Sequence, residues 1–309
     1  MKLLYNILAS IVLLTVSASI YARETISILW GFNTGSSTAT NARLIAEEAN
    51  KIQDKYTFVL LGKPGAGGTI AANTVAANPD NTIVAMSSTF IIRPYYETST
   101  TTHNLDQFTP ILVQGIGSPL FVFSGKYKNI KQLINKPNLT IGTSGVGSIS
   151  HLVATEIATV NPSTIIVNFK SMPEASLAAV SGHVDVAIGI YTDVAGLIED
   201  KKLNVLGYTG NSDVLNYKNR LLTNYKMPES DKLVANYAMY ASTNMNQAKF
   251  IEIHNILLQA NQAPVVLENY KKDQLTPVNY NITQSEVWYA VQRRYWKRQV
   301  NKIKNKESQ

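Results

Sequence analysis

The sequence contains no cysteine. No disulfide can form, no lipid can be attached at an N-terminal cysteine, and the lack of thiolates argues against a structural zinc. Histidine is scarce too: His103, His151, His183 and His254 are scattered without metal-ligand spacing, so neither metal nor cofactor is expected. Charged residues are only 16% of the chain. Long apolar runs are confined to the start, where Lys2 precedes a run from Ile7 to Val16 broken by Ser10 and Thr15, then small residues as far as Ala22. That order predicts a secretory signal peptide cleaved after Ala22, and with it a periplasmic location. Ser17 and Ser19 keep the run below the roughly 20 apolar residues of a spanning helix.

There are 28 basic residues against 21 acidic ones, but the excess is local. Arg293, Arg294, Lys297, Arg298, Lys302, Lys304 and Lys306 crowd the end of the chain, so the body is close to neutral. A nucleic-acid binder carries its cations on the working face of its fold. Cations gathered on one terminal helix read instead as a solvated face.

Short apolar runs alternate with helical spacing. Strands are predicted at Thr25 to Trp30, Thr57 to Leu61 and Thr82 to Met86. Between them lie a helix carrying Ala42, Ile45, Ala49 and Ile52, and another over Thr69 to Ala77. This βαβαβ order implies a parallel sheet covered on both faces. The pattern restarts near Leu120, with strands ending near Gly142, Phe169, Ile190 and Tyr208, and a mostly helical tail follows Tyr237 to Ala241. A tail of that size packs back on the first sheet. The expectation is a discontinuous first domain of residues 23–115 and 240–309, a second of 116–239, and a hinge of two crossings. Thr98 to Asn104 reads as an exposed loop.

Parallel sheets bind ligands at the carboxyl ends of their strands, where helix N-termini attract anions. Three loops have suitable composition: Phe32 to Thr38, Gly62 to Gly68 and Gly142 to Ser150. Glycine lets backbone amides approach a ligand, and serine or threonine adds an uncharged donor. Motifs for chemistry fail. Gly142 to Val146 lacks the last glycine of a nucleophile elbow. Lys63 precedes its glycines, so Gly62 to Gly68 is not a phosphate-binding P-loop. Asp185 and Asp193 read as capping or surface residues in preference to a catalytic pair.

The strings GFNTGSSTATNARLIAEE (31 to 48), KPGAGGTIAANTVA (63 to 76), FTPILV (108 to 113), LTIGTSGVGSISHL (139 to 152) and SGHVDVAIG (181 to 189), with the closing helix around Trp296, carry a resemblance to a known family. Over nearly the whole mature length the chain resembles the substrate-binding receptors of tripartite tricarboxylate transporters, the Bug receptors. The resemblance implies a type II periplasmic-binding fold, two doubly wound α/β domains on a two-crossing hinge. It implies a receptor that closes on a carboxylate-bearing anion, without chemistry, and delivers it to a membrane permease; a monomer is expected. Carboxylates in such receptors are held by amides, hydroxyls and water, without a lysine or arginine clamp.

On that basis the first domain is expected to bind ligand through Asn33, Thr34, Gly35, Ser36, Ser37 and Thr38, with Ser87, Ser88 and Thr89. The second contributes Thr143, Ser144, Gly145, Val146, Gly147 and Ser148, with Ser171 and Asp193. The sequence departs from the family pattern at Ala39, where an acid is usual, at Phe169 to Pro173, and at Ile190 and Tyr191. The missing acid makes an amino-acid ligand less expected. Arg93 is read as a surface residue ahead of a cleft cation. Two other readings stand beside transport: a sensor or scavenger of the same fold, and a hydrolase or transferase, for which no nucleophile with a base is found.

Overall fold

The computed structural model describes residues 23–97, 102–210, 217 and 219–307. The predicted leader and residues 98–101 of the expected loop lie outside them. Chain order is β1 (Glu24–Trp30), α1 (Ser37–Lys51), β2 (Tyr56–Gly62), α2 (Thr69–Ala77), β3 (Thr82–Ser87), α3 (Thr89–Tyr96), β4 (Phe108–Ser118), β5 (Phe121–Ser124), α4 (Lys131–Ile134), β6 (Thr140–Thr143) and α5 (Ile149–Val160). It continues with β7 (Ile165–Asn168), α6 (Met172–Ser181), β8 (Val186–Gly189), α7 (Ala195–Glu199), β9 (Asn204–Tyr208), β10 (Ala235–Ser242), α8 (Gln247–Asn261), α9 (Pro264–Lys272), β11 (Thr276–Pro277) and α10 (Ile282–Glu307).

Two sheets result, ordered β11-β4-β10-β3-β1-β2 and β7-β6-β8-β5-β9. In the first, β1 runs parallel to β2 and β3, and β10 lies antiparallel between β3 and β4. In the second, β6 runs parallel to β7 and β8, while β5 is antiparallel to β8 and β9. Each sheet thus has a parallel βαβαβ core and one antiparallel strand inserted beside it. Central β1 is buried on both faces at Ile26, Ile28, Leu29 and Trp30, which is why it reads as a continuous apolar run. Helix α1 is capped by Ser36, whose side chain accepts from the Ala39 N–H, and it buries Ala42, Ile45, Ala46 and Ala49 at helical spacing.

The glycines of KPGAGG serve packing. Gly65, Gly67 and Gly68 all have positive φ, and a Cβ on Gly68 would lie 2.2 Å from Met86 Cε. Only glycine lets this turn lie so close to β3.

The 11-residue β4 was not anticipated as a strand; it carries the chain from the first sheet towards β5 in the second. The return path lies beside it. Leu120 N–H donates to Thr209 Oγ1 (2.8 Å), Thr209 N–H donates to Leu120 O (2.9 Å), and Gly117 N–H donates to Asn236 Oδ1 (2.9 Å). The tail then returns to the first sheet. Trp296 on α10 is 1% exposed and donates from Nε1 to Gln292 Oε1 (3.1 Å), which also accepts from Asn236 Nδ2 (3.2 Å).

One buried histidine makes the fold pH-sensitive. His103 stacks on Phe90 at 4.5 Å; its Nε2 pairs with Phe90 O at 2.8 Å and its Nδ1 lies 3.5 Å from Thr69 Oγ1. Burial, with help from Arg93, lowers its pKa from 6.5 to about 4. Between those values the unfolded chain binds the proton and the folded one refuses it. Stability is therefore lost as pH falls from about 6.5 to about 4, by about 3 kcal/mol in total. Urea unfolding at pH 7 and pH 4.5 should show His103→Gln losing clearly less stability than the unaltered protein; equal losses would contradict this account.

Candidate functional site

The carboxyl ends of the parallel strands in the two sheets face each other across a cavity of about 80 Å³. That is room for several waters or one small organic molecule. The first sheet contributes Trp30 at the end of β1, then Phe32, Asn33, Ser36 and Thr38 from the following loop and α1. It also supplies Ser87 and Thr89 at the β3–α3 junction, with Ala235 and Tyr237 on β10. The second sheet contributes Ser144, Ile149 and Ser150 after β6, Ser171, Met172 and Pro173 at the start of α6, Ile188 and Gly189 on β8, then Ile190 and Asp193.

Four helix starts meet there, those of α1, α3, α5 and α6. Their positive dipole ends favour an anion. The hydroxyls stand in clusters. Ser36 Oγ and Thr38 Oγ1 are 3.1 Å apart; Ser87 Oγ donates to Thr89 Oγ1 at 3.2 Å; Ser150 Oγ lies 3.0 Å from Ser144 Oγ and 2.9 Å from Ser148 Oγ. A hydroxyl pair uses one of its two protons in the mutual bond, which leaves an O–H in the Ser87–Thr89 pair and one in the Ser144–Ser148–Ser150 group, whereas Ser36 Oγ also donates to Asn33 O at 3.5 Å.

The expected donors were mainly backbone amides, and here the geometry differs. The amides of Gly35, Ser144 and Gly145 are already bonded, to Asn33 Oδ1 (3.2 Å), Ser150 Oγ (3.0 Å) and Thr143 Oγ1 (3.4 Å). Side-chain oxygens close these turns locally, so these amides are not free for a ligand.

Of the residues anticipated from sequence, Asn33, Ser36, Thr38, Ser87, Thr89, Ser144, Ser171 and Asp193 come together on the wall. Apart from Ser37, whose side chain lies outside the described ones, the others do not line it. Thr34 turns its carbonyl to Arg43 Nη2 (3.0 Å), Gly35 closes its own turn, and Ser37 begins α1. Ser88 is buried behind the wall, accepting from Asn236 N–H at 3.0 Å, and Thr143 donates to Asn168 Oδ1 at 2.7 Å. Ser148 is buried and caps α5. Gly145 and Val146 line an adjoining crevice with Arg93, and Gly147, at φ +70°, packs against Tyr96 and Arg93.

Arg93 is not a surface residue. Its side chain is 11% exposed; Nη1 donates to Val146 O at 2.9 Å, across to the second sheet's loop, and Nη2 pairs with both carboxylate oxygens of Glu97 at 2.8 Å. Asp185 is structural, accepting from Thr140 N–H and Oγ1 (both 2.9 Å) and pairing with Lys136.

Several wall residues were not anticipated. Ser150 sits within the GTSGVGSIS string and was readable as the first turn of α5. Tyr237 was not readable, because an isolated apolar run does not reveal that β10 is antiparallel and so starts beside Ser87. Behind the wall, Asp273 accepts from Asn41 Nδ2 (2.6 Å) and from the Thr192 hydroxyl, joining the tail to α1 and to the turn after β8. Burial raises its pKa. Burial, then Asp273 and Asp193, push the Tyr237 phenol well above its usual range, so it remains a neutral donor. The indole Nε1 of Trp30 is buried without a hydrogen-bond partner, a state costing about 1–3 kcal/mol. Among the described residues, Asp193 is the one charged side chain on the wall, and no group of three metal-ligating residues occurs.

A two-sheet cleft of hydroxyls and helix starts fits anion capture, and the family comparison agrees. A model described as the tripartite tricarboxylate transporter family receptor matches residues 41–305. The chain belongs to this receptor family. Among solved structures, this receptor is similar to the periplasmic binding protein BugD, at 21% identity and a TM-score of 0.77, over 92% of this chain and 98% of that one. It is similar to an R. palustris protein solved with adipate, at 18% identity and TM-score 0.79, over 90% and 97%. MatC from Rhodopseudomonas palustris, solved with bound malate, matches at 18% and 0.77, over 89% and 98%. At such identities these likenesses establish the receptor's fold. A comparison with curated protein sequences finds no match. No described helix of the receptor is long and apolar enough to cross a membrane.

Proposed function

We propose that this receptor captures a small carboxylate-bearing anion between its two sheets and delivers it to a membrane permease of the tripartite tricarboxylate type, with no chemistry on the ligand. The observation that carries this reading is the facing of hydroxyl clusters and four helix starts from both sheets on one cavity, with no lysine or arginine among its described wall residues. Neutral donors with fixed dipoles stabilise a carboxylate without burying a counter-charge. Relatives solved with malate and adipate support the ligand class.

Asn33, Ser36, Thr38, Ser87, Thr89, Ser144 and Ser171 serve as the polar contacts. The working parts are a first domain of residues 23–115 and 240–309 and a second of 116–239, turning on the paired crossings at Gly117–Asn236 and Leu120–Thr209. The bond from Arg93 to Val146 O acts as a clasp of the closed form. The receptor works in the periplasm as a monomer after its leader is removed. It has no enzymatic role: Ser144 neighbours other serines on a wall without histidine among its described residues.

The test is a thermal-shift screen of mono-, di- and tricarboxylates, with NMR of the ligand afterwards. A bound carboxylate at about 100 times its Kd should add about 2.7 kcal/mol of stability and be recovered unchanged. Stabilisation by none of them, or conversion of any, overturns the proposal.

A further inference from the structure

Helix α10 forms one wall of a groove of about 910 Å³ that lies apart from the ligand cavity. Alternation along the chain sets the two back to back: Ala235 and Tyr237 line the cavity, whereas Val234 and Asn236 line the groove. The groove floor is apolar. Ile116 and Val234 meet Trp288, Val291 and Tyr295, which recur at helical spacing on α10. Val291 is 45% exposed, and Val287, one turn earlier, is 60% exposed. Exposed apolar patches rimmed by polar residues mark interaction sites.

The rim is cationic. Lys232, Arg294, Lys297 and Arg298 line the groove, and no acid does so among the described residues. None of these four forms an ion pair among the described residues, whereas Arg293 and Lys302 of the same helix are paired with Asp106 and Glu229. Glu229 and Asp231 stand close enough to act on the Tyr295 phenol, but neither lines the groove. A solvated face, as read from sequence, needs no apolar floor. Aromatic and arginine side chains over such a floor are the anchors of protein interfaces, and unpaired cations around it call for a negative partner. A flat bilayer would reach the rim and leave the floor wet. The chain's own basic end is repelled by the rim, and a second copy would bring a body close to neutral.

We propose that this groove docks an acidic protein segment, whose carboxylates meet Arg294, Lys297, Arg298 and Lys232 while its apolar side chains cover Trp288, Val291 and Tyr295. The site is distinct from the ligand cleft and stands whether or not the cleft takes a carboxylate.

Fluorescence anisotropy on the full mature chain tests it, with a short labelled peptide in which Glu alternates with Leu. The peptide should bind, and replacing its leucines by serine should weaken it at least about tenfold, as should Arg294→Glu with Arg298→Glu in the protein. Val291→Ser should cost about threefold, the scale of part of one exposed valine. All three residues are at the surface, so the urea midpoint should hold. Lys126→Glu with Lys128→Glu makes the same charge change on exposed residues of the second sheet's unit and should leave affinity within about twofold. No binding of the peptide, equal weakening by the two double variants, or indifference to the leucines overturns the proposal. So does tighter binding of phosphatidylglycerol vesicles or of a single-stranded oligonucleotide through the same arginines, or self-association in sedimentation that Arg294→Glu with Arg298→Glu abolishes.

Discussion

Ser36→Asp is expected to reduce carboxylate affinity at least about 100-fold, because a like charge at a binding surface costs several kcal/mol. The substitution separates charge from architecture. Ser36 caps α1 by accepting from the Ala39 N–H, and it lines the cavity beside Thr38. Aspartate caps a helix as well as serine does, and the dipole at α1's start favours it, so the fold should keep its urea midpoint. Ser171→Asp makes the same test from the facing wall, where Ser171 caps α6 through the Glu174 N–H. The neutral control is Ser36→Asn, which caps without charge and should bind within about tenfold of the original. Calorimetry on whichever carboxylate stabilises the protein gives the answer. An aspartate variant that binds as tightly as the original would show that no anion lies near these helix starts.

Trp296→Ala should cost about 3–5 kcal/mol of unfolding free energy, the range for emptying a buried tryptophan site. Trp296 is among the largest fully buried side chains, with Tyr295 edge-on at 4.8 Å. Its loss also releases Gln292, which holds Asn236, which in turn grips Gly117 in the first crossing. Most domains have only about 5–15 kcal/mol to lose, so denaturant unfolding should register a large shift. A loss below about 1.5 kcal/mol would mean that α10 is not needed to hold the first sheet together.

The two α/β halves were readable because their signals are local. Helix spacing in α1 and the limits of α2 at Thr69 and Ala77 depend only on neighbours in the chain. The glycine and hydroxyl composition of the loops at the strand ends was readable for the same reason, since strand ends followed by serine and glycine precede helix starts. Missed features depend on contacts distant in sequence. Strand β4 is a strand because β10 pairs with it, and Pro110 and two glycines hid it from a propensity reading. Arg93 looked like a surface cation until the second sheet's Val146 carbonyl met it.

The sequence by itself determined that this chain forms two layered α/β units, carries no thiol, and offers uncharged donors at the ends of its strands. Only the tertiary structure decided which donors share a cavity, that several loop amides are spent on side chains of their own loops, and that Trp30 and Tyr237 complete the wall. Periodicity and capping are properties of a few consecutive residues. Convergence is set by the direction of β10 and by the two crossings that turn one sheet towards the other, and these arise only when distant segments pack.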